Sequence, residues 1–376
     1  MERYLSHIIH KDLTQKMVLL TGPRQVGKTY LSRKLMDQFK KPVYLNYDNP
    51  EHSRIIQKSS WPLEADYLIL DEIHKMKDWK SSLKGIYDTK ADELRLLVTG
   101  SARMETYRQS GDSLAGRYFS HRLHPLSVGE LKGQMPPDEA LNQILELGAF
   151  PEPFLSGSKR QAGRWRNQYF TDLIREDIMD FSRLNEIRSI RLLVELLRER
   201  VGSPLSLNSL AGDLQISPHT VKKYLEILES LYIIFLIRPY HRNIARSLLK
   251  EPKVYFFDTA YIKGDEGVKL ENTVACGLLK NCHYEYDVNG NRMGLYYLRT
   301  KDKKEVDFLI SRDDVAEEMI EVKLSNKSHS PSLRYFKERY PDIKAVQLVK
   351  NLALEEYDRE RDIHLNRASD YLARLA

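Results

Sequence analysis

The stretch Thr21-Gly22-Pro23-Arg24-Gln25-Val26-Gly27-Lys28-Thr29 decides how the first half of this 376-residue chain is read. It fits the pattern G-x-x-x-x-G-K-[ST], follows the apolar run Met17-Val18-Leu19-Leu20, and opens a segment with Tyr30, Leu31, Leu35 and Phe39 at helical spacing. A strand before and a helix after are the context in which this pattern cradles phosphate. Gly22 and Gly27 let the backbone bend so that successive N–H groups face inward, and the following helix adds its positive N-terminal end. The expected nucleotide site is therefore Gly22, Pro23, Arg24, Gln25, Val26, Gly27, Lys28 and Thr29, with Tyr30 beside them. Lys28 has the reach for the β- and γ-phosphates of ATP, and the Thr29 hydroxyl is placed to ligate Mg²⁺.

Downstream, Pro42 to Tyr47 reads as a strand ended by the turn Asn49-Pro50, and Asp66-Tyr67-Leu68-Ile69-Leu70-Asp71-Glu72 as a buried strand running into paired acids. Asp71 is expected to hold Mg²⁺ opposite Thr29, and Glu72 to polarise the attacking water. A further strand, Leu94 to Thr99, ends in Gly100-Ser101-Ala102-Arg103, where Thr99 or Ser101 could sense the γ-phosphate. In a parallel sheet this end lies beside the ligand. Residues 1–15 read as a short amphipathic helix covering the sheet edge, and Pro125-Leu126-Ser127 as the end of a fifth strand.

These stretches together, GPRQVGKT, LILDE, LLVTGSAR and LAGRYFSHRLHPLSVGEL, resemble the AAA-type P-loop ATPases of bacteria and archaea that carry a further C-terminal region. The resemblance runs over nearly the whole chain. It implies a parallel sheet with helices on both faces, ATP hydrolysis with Mg²⁺, and a homo-oligomer in which one subunit completes a neighbour's site. It also implies phosphate, magnesium, water-activating and sensing roles for Lys28, Thr29, Asp71, Glu72 and Ser101. Arg117 is the proposed arginine finger or sensor, with Arg103 and Arg24 as competitors and a surface ion pair as the plain alternative; a well-placed finger is worth ~10³ or more in rate.

Composition sets the frame for the rest. Hydrophobic residues at 41% and charged residues at 30% suit a soluble chain with several cores, and a net charge of +6 does not by itself indicate nucleic acid. No apolar run approaches the roughly 20 residues of a membrane helix, and Met1 to Leu5 lacks a signal peptide's apolar core, so the expectation is a cytoplasmic protein with no membrane partner. Cys276 and Cys282 are too few for a disulfide framework.

Four domains are expected: an ATPase domain over 1–134, a helical lid over 135–185, a winged helix-turn-helix over 186–245, and a nuclease-like α/β domain over 246–376. In the lid, Trp165, Tyr169, Leu173 and Ile174 recur at core-facing spacing, after a turn at Gly148 to Pro153. In the third, Ser206 to Leu214 and Ser217 to Leu228 read as helix, tight turn, helix, with Ser217 as cap and Val221, Leu225 and Leu228 inward. It resembles the winged helix, which would place His219, Thr220, Lys222 and Lys223 at base edges of double-stranded DNA and Arg238, Arg242 and Arg246 near phosphates. Protein docking is the other use of such a module.

From Lys253 onward, Val254 to Thr259 reads as a strand and Leu270 to Leu279 as a helix. Glu305 to Ile310 and Glu318 to Lys323 read as strands, the period of two putting Glu321 and Lys323 on one face. The order Glu271, Asp307, Glu321-x-Lys323 resembles the restriction-endonuclease-like PD-(D/E)xK scaffold, although Val306 stands where that pattern has proline. The resemblance implies a divalent-metal site at these four residues; a strand-edge ion pair is the alternative for Glu321 and Lys323. Three functional readings follow: an ATP-driven switch or motor acting on DNA, an ATP-regulated metal-dependent nuclease, and a signalling or toxin–antitoxin-like switch that docks a protein.

Overall fold

The computed structural model of the chain describes residues 1–100, 114–173, 184–240, 250–325 and 328–376. By its internal contacts the chain divides into two compact units, Met1–Pro125 with Ser230–Tyr232, and Leu126–Glu229 with Ile233–Ala376.

The first unit is a parallel sheet of β1 (Met17–Thr21), β2 (Pro42–Asn46), β3 (Tyr67–Asp71), β4 (Arg95–Thr99) and β5 (Tyr118–Arg122), in the order β2-β3-β4-β1-β5. The connecting helices are α1 (Ser6–Asp12), α2 (Lys28–Lys34), α3 (Pro50–Lys58) and α4 (Trp79–Thr89). Every residue of β1 and β3 is buried, which is why both strands are continuous apolar runs rather than alternating ones. Leu68, Leu70, Leu96 and Val98 pack with Trp79, Leu83 and Ile86 of α4 in one core. Because all five strands run the same way, the segments after β1, β3 and β4 gather at one edge. Asn49 does more than turn the chain: its side chain caps α3 by accepting from the Glu51 and His52 N–H groups.

The fifth strand stops at Arg122 rather than at Pro125 to Ser127. Leu123 N still donates to Thr21 O, at 2.9 Å, but Pro125 has no N–H with which to extend a ladder. Ser127 instead caps the short helix α5 (Val128–Leu131), accepting from Glu130 N at 3.2 Å.

The second unit continues with α6 (Pro137–Leu147), α7 (Pro151–Leu155) and α8 (Lys159–Leu173). The turn expected at 148–153 thus runs straight into a helix, Pro151 being well suited to its first position. Trp165 stacks on Tyr169 with ring centres 4.8 Å apart, and both lie against Phe150, so these aromatics are core. Ile174 lies outside the described residues.

After α9 (Leu184–Arg198) come α10 (Leu207–Leu214) and α11 (Pro218–Ser230), two helices where the sequence indicates two. Ser217 Oγ accepts from Thr220 N at 3.1 Å, and Val221, Leu225 and Leu228 are buried. The strands that follow, β6 (Ile234–Pro239) and β7 (Lys253–Phe256), pair antiparallel. From sequence β7 reads as the start of the last domain; here it is the partner of β6, and β6 in turn pairs parallel with β8 (Met293–Arg299). One mixed sheet therefore joins β6, β7 and β8 to the C-terminal strands β9 (Glu305–Arg312), β10 (Val315–Lys323), β11 (Lys344–Val349), β12 (Glu356–Asp358) and β13 (Ile363–Arg367).

Over that sheet runs α12 (Glu266–Asn289), 24 residues long where sequence periodicity indicated ten. It is capped by Asp265 and ended by Gly290 at φ 73°. Two further helices, α13 (Pro331–Arg339) and α14 (Ala368–Leu372), complete the layering. Among the described residues no helix is long and apolar enough to cross a membrane.

Lys280 of α12 is one of the few fully buried cations, donating to Glu130 Oε2 at 2.7 Å and to Ser127 Oγ at 2.9 Å. Removing one partner of such a pair leaves an uncompensated buried charge. Lys280→Ala should lower unfolding free energy by about 3–5 kcal/mol in chemical denaturation. The double variant Lys280→Met, Glu130→Leu should recover most of that; an equal loss in single and double variants would place the cost elsewhere.

Candidate functional site

β1 delivers the chain into the loop at Gly22, whose φ of 139° and surroundings admit no side chain: a Cβ there would lie 2.3 Å from Leu123 O. Gln25 at φ 57° and Gly27 at φ 99° are left-handed, which curls the loop back before α2 begins. Lys28 is buried, and its Nζ donates to Gly22 O at 2.9 Å and Pro23 O at 2.7 Å, so the ammonium lies over its own loop. Val26 is wholly buried and offers the site only backbone, whereas Tyr30 is 53% exposed and turns away from the core that Leu31 and Leu35 enter.

Asp71 ends β3, and β4 separates β3 from β1 in the sheet. Its carboxylate, 2% exposed, accepts hydrogen bonds from three hydroxyls on three elements. Thr29 Oγ1 donates to Oδ2 at 2.8 Å, Tyr44 OH to the same oxygen at 2.7 Å, and Thr99 Oγ1 to Oδ1. Asp71 thus meets Thr29, as the sequence indicates, and Thr99 of the Thr99/Ser101 pair bonds to it; Ser101 and Arg103 lie outside the described residues. Tyr44 was not foreseen. It sits in an ordinary-looking strand, and only the register Tyr44↔Ile69 brings it to the acid. Burial, followed by its bond to Asp71, pushes its hydroxyl up to about 12.

Glu72 is held at φ 58°, ψ 25°, a left-handed conformation that costs a non-glycine residue about 1 kcal/mol or more. Burial raises its carboxyl above the usual range, the Asp71 charge adds to this, and Lys28, Lys75 and Arg24 act in the opposite direction. Its Oε2 is buried and accepts no hydrogen bond, with His74 Nε2 at 3.7 Å and Lys75 Nζ at 3.9 Å, ion-pair rather than hydrogen-bond distances. A buried carboxylate oxygen that accepts no hydrogen bond, beside a buried acid and a threonine hydroxyl, fits a site for a metal–triphosphate and its attacking water.

Arg3 is the second residue that sequence reasoning missed, since residues 1–15 read only as an edge cover. Its guanidinium is 3% exposed and donates to Val26 O and to His124 O, each at 2.6 Å. Tyr4 OH adds a bond to Arg122 O at 2.7 Å and accepts from His124 N at 3.2 Å. The N-terminal segment therefore straps the phosphate loop to the chain after β5. No sequence signal distinguishes such an arginine from a surface one, because its partners are backbone carbonyls.

Arg117 lies elsewhere. It precedes β5 at the edge where the strands begin, its carbonyl accepting from Met17 N, and its guanidinium forms a two-pronged pair with Asp88 of α4 at 2.7 and 3.0 Å. A strand rise of about 3.3 Å per residue sets it roughly 15 Å from the phosphate loop of its own subunit. Arg24 is the half-buried arginine within the loop itself.

In the second unit the structure brings Glu271, Asp307, Glu321 and Lys323 together. Asp307 Oδ2 accepts from Val322 N at 2.9 Å, and Glu321 Oε1 accepts from Lys323 Nζ at 2.7 Å and Ser330 Oγ at 3.0 Å. It also adds a residue the sequence did not single out: Lys253, 1% exposed, with Nζ at 2.7 Å from Glu305, 3.5 Å from Glu271 and 3.7 Å from Asp307. Burial raises both Glu271 and Glu321, and the Asp307 charge raises them further. Among the described residues no group of three or more His, Cys, Asp or Glu is placed to hold a metal ion. On α11, His219, Lys222 and Lys223 are exposed, Lys222 pairing with Glu226 at 4.0 Å and Lys223 with Glu186 at 3.9 Å. Arg242 and Arg246 lie outside the described residues.

The parallel sheet, its curled loop and the acid pair form a P-loop-like α/β unit. The AAA domain model matches residues 14–132, and two domains of unknown function match the remainder, DUF8612 over 138–263 and DUF4143 over 266–371. An uncharacterised protein of Mycobacterium tuberculosis is 26% identical over 306 residues, covering 78% of this chain and 67% of its own length. An uncharacterised protein of Haemophilus influenzae is 21% identical over 383 residues, covering 91% of this chain and 92% of its own. Among solved structures, a Walker-type ATPase of Pyrococcus abyssi aligns at 15% identity and TM-score 0.44, covering 70% of this chain and 94% of that one. The ORC1 protein of Aeropyrum pernix, solved in complex with DNA, aligns at 12% identity and TM-score 0.35, covering 73% and 93%.

The strap at Arg3 makes a measurable difference. Arg3→Ala should weaken nucleotide binding about tenfold or more by loosening the loop, a loss of ~1.4 kcal/mol or more. Arg3→Lys, which cannot serve both carbonyls in the same fork, should recover little. Titration of the folded variants with a fluorescent ATP analogue decides it; unchanged affinity in both would reduce Arg3 to packing.

Proposed function

We propose that the chain is an ATP-hydrolysing switch of the AAA class, working as a homo-oligomer whose second unit engages DNA or a protein. The observation that carries the ATPase reading is the Thr29–Asp71 hydrogen bond, with the unpartnered oxygen of Glu72 next to it. Lys28 leaves the carbonyls of Gly22 and Pro23 and donates to phosphate oxygens. Thr29 and Asp71 are the residues that would hold Mg²⁺, which when bound would supply positive charge against that of the phosphates. Glu72 orients water and accepts its proton as the oxygen attacks the γ-phosphorus, the bond to the bridging oxygen breaks, and ADP departs. Thr99, bonded to Asp71, senses whether that carboxylate is engaged.

Purified protein should turn over ATP, measured with and without duplex DNA. Lys28→Ala should lose binding or turnover, whereas Glu72→Gln should keep ATP bound and slow turnover by about 10²–10⁴-fold. Glu72 must be ionised to act, and its carboxyl lies above the ordinary range, so the acid limb of the rate profile should fall at higher pH than for an ordinary glutamate. The same shift means that Glu72 favours the folded state at low pH and loses that contribution as pH rises through its folded value. Glu72→Gln should therefore stabilise the fold at neutral pH, an effect absent in acid; a rate profile flat across the acid range would remove Glu72 from the base role.

Arg117 reaches no phosphate within its own subunit, so its place in this scheme is a neighbour's site. Lys28→Ala and Arg117→Ala should each be inactive alone, and mixing the two should restore part of the turnover through composite sites. No restoration in mixtures shown to exchange subunits would leave Arg117 as the partner of Asp88 only. The exposed His219, Lys222 and Lys223 support the DNA arm of the reading, which stimulation of turnover by duplex would bear out.

A further inference from the structure

The acidic residues that gather in the C-terminal sheet match a scaffold built to hold a divalent cation, yet the space between them is taken by a side chain of this protein. Lys253 projects from β7, Glu271 from α12, and Glu305 and Asp307 from one face of β9. An ammonium has three protons to donate, and three carboxylates from two other elements surround this one. Tyr255 OH, also from β7, donates to Glu271 Oε1 at 2.7 Å, the same oxygen that faces Lys253.

The acids' oxygens already face cations and donors of the chain. Asp307 Oδ2 accepts from Val322 N, its Oδ1 lies 3.7 Å from Lys253 Nζ, and Glu321 Oε1 accepts two bonds. Glu321 Oε2 is buried without a hydrogen bond, but among the described residues no three such side chains converge as Mg²⁺ or Mn²⁺, which take about six ligands, would require. Lys253 cannot simply swing out, being 1% exposed. Burial disfavours its charge, but Glu271, Asp307 and Glu305 together hold it above the ordinary lysine range, which favours the ammonium form.

We propose that Lys253 is a built-in cation standing where the scaffold's divalent ion would stand, so that the C-terminal domain binds no metal at Asp307 and cuts no nucleic acid. The ion pair has a structural role in its place: it ties β7 to α12 and β9. This inference is independent of the ATPase reading, since no residue of the phosphate loop takes part.

Mn²⁺ binding to the full chain without nucleotide, followed by electron paramagnetic resonance, tests it. Wild type and Asp307→Asn should give the same titration, because no ion binds at Asp307. Lys253→Met should gain one Mn²⁺ site that the double variant Lys253→Met, Asp307→Asn loses again. Mn²⁺ binding or Mn²⁺-dependent DNA cleavage by wild type that Asp307→Asn abolishes would overturn the proposal. A folded Lys253→Met that gains no site would likewise overturn it. If Lys253→Met does not fold, the comparison of wild type with Asp307→Asn still decides the matter.

Discussion

A carboxylate buried at the end of a buried strand is the constraint from which the first unit follows. Asp71 is almost inaccessible to water, and an ionised group in that position must be satisfied by the protein. It is satisfied by hydroxyls from α2, β2 and β4, which fixes the relative heights of those elements to within a hydrogen bond. A threonine hydroxyl has one proton and two acceptor lone pairs, so Thr29 can keep donating to Asp71 while its lone pairs face a cation. The network that stabilises the fold therefore keeps oxygen lone pairs beside a carboxylate, the donor set that the proposed cation site calls for.

The parts of this arrangement that follow from local backbone chemistry were legible in the sequence. A glycine that abuts Leu123 O, a second at positive φ, and a threonine opening the next helix leave a fixed spacing in the chain, and so did the continuous apolar runs of a doubly covered parallel sheet. The helices α10 and α11 were equally readable, because Ser217, Pro218 and the inward positions of α11 obey local rules. What depended on contacts distant in sequence was not readable. Tyr44 reaches Asp71 only through strand register, Arg3 binds backbone oxygens 23 and 121 residues away, and Lys253 finds its three acids on a helix and a strand far downstream. Arg117 stood in a suggestive motif, but whether an arginine faces the loop or the far edge depends on which end of a strand it occupies.

The two acidic centres of the chain show opposite solutions to one problem. Around Asp71 the partners are neutral hydroxyls, which soften the charge without cancelling it and leave an attraction for a cation. Around Glu271, Glu305 and Asp307 the partner is itself a cation, and the attraction is used up within the fold. The first arrangement suits a site that loads and releases; the second suits a joint. The joint lies where β6 and β7 enter the same sheet as β8.

The most direct test of the central claim is the magnesium dependence of nucleotide affinity, measured by calorimetric titration of a slowly hydrolysed ATP analogue into the wild type and into Asp71→Asn. If Asp71 and its hydroxyls form the cation site, Mg²⁺ will tighten binding to the wild type and make little difference to the variant. Affinity that is the same with and without Mg²⁺, or that is tightened by it equally in both proteins, would contradict the account.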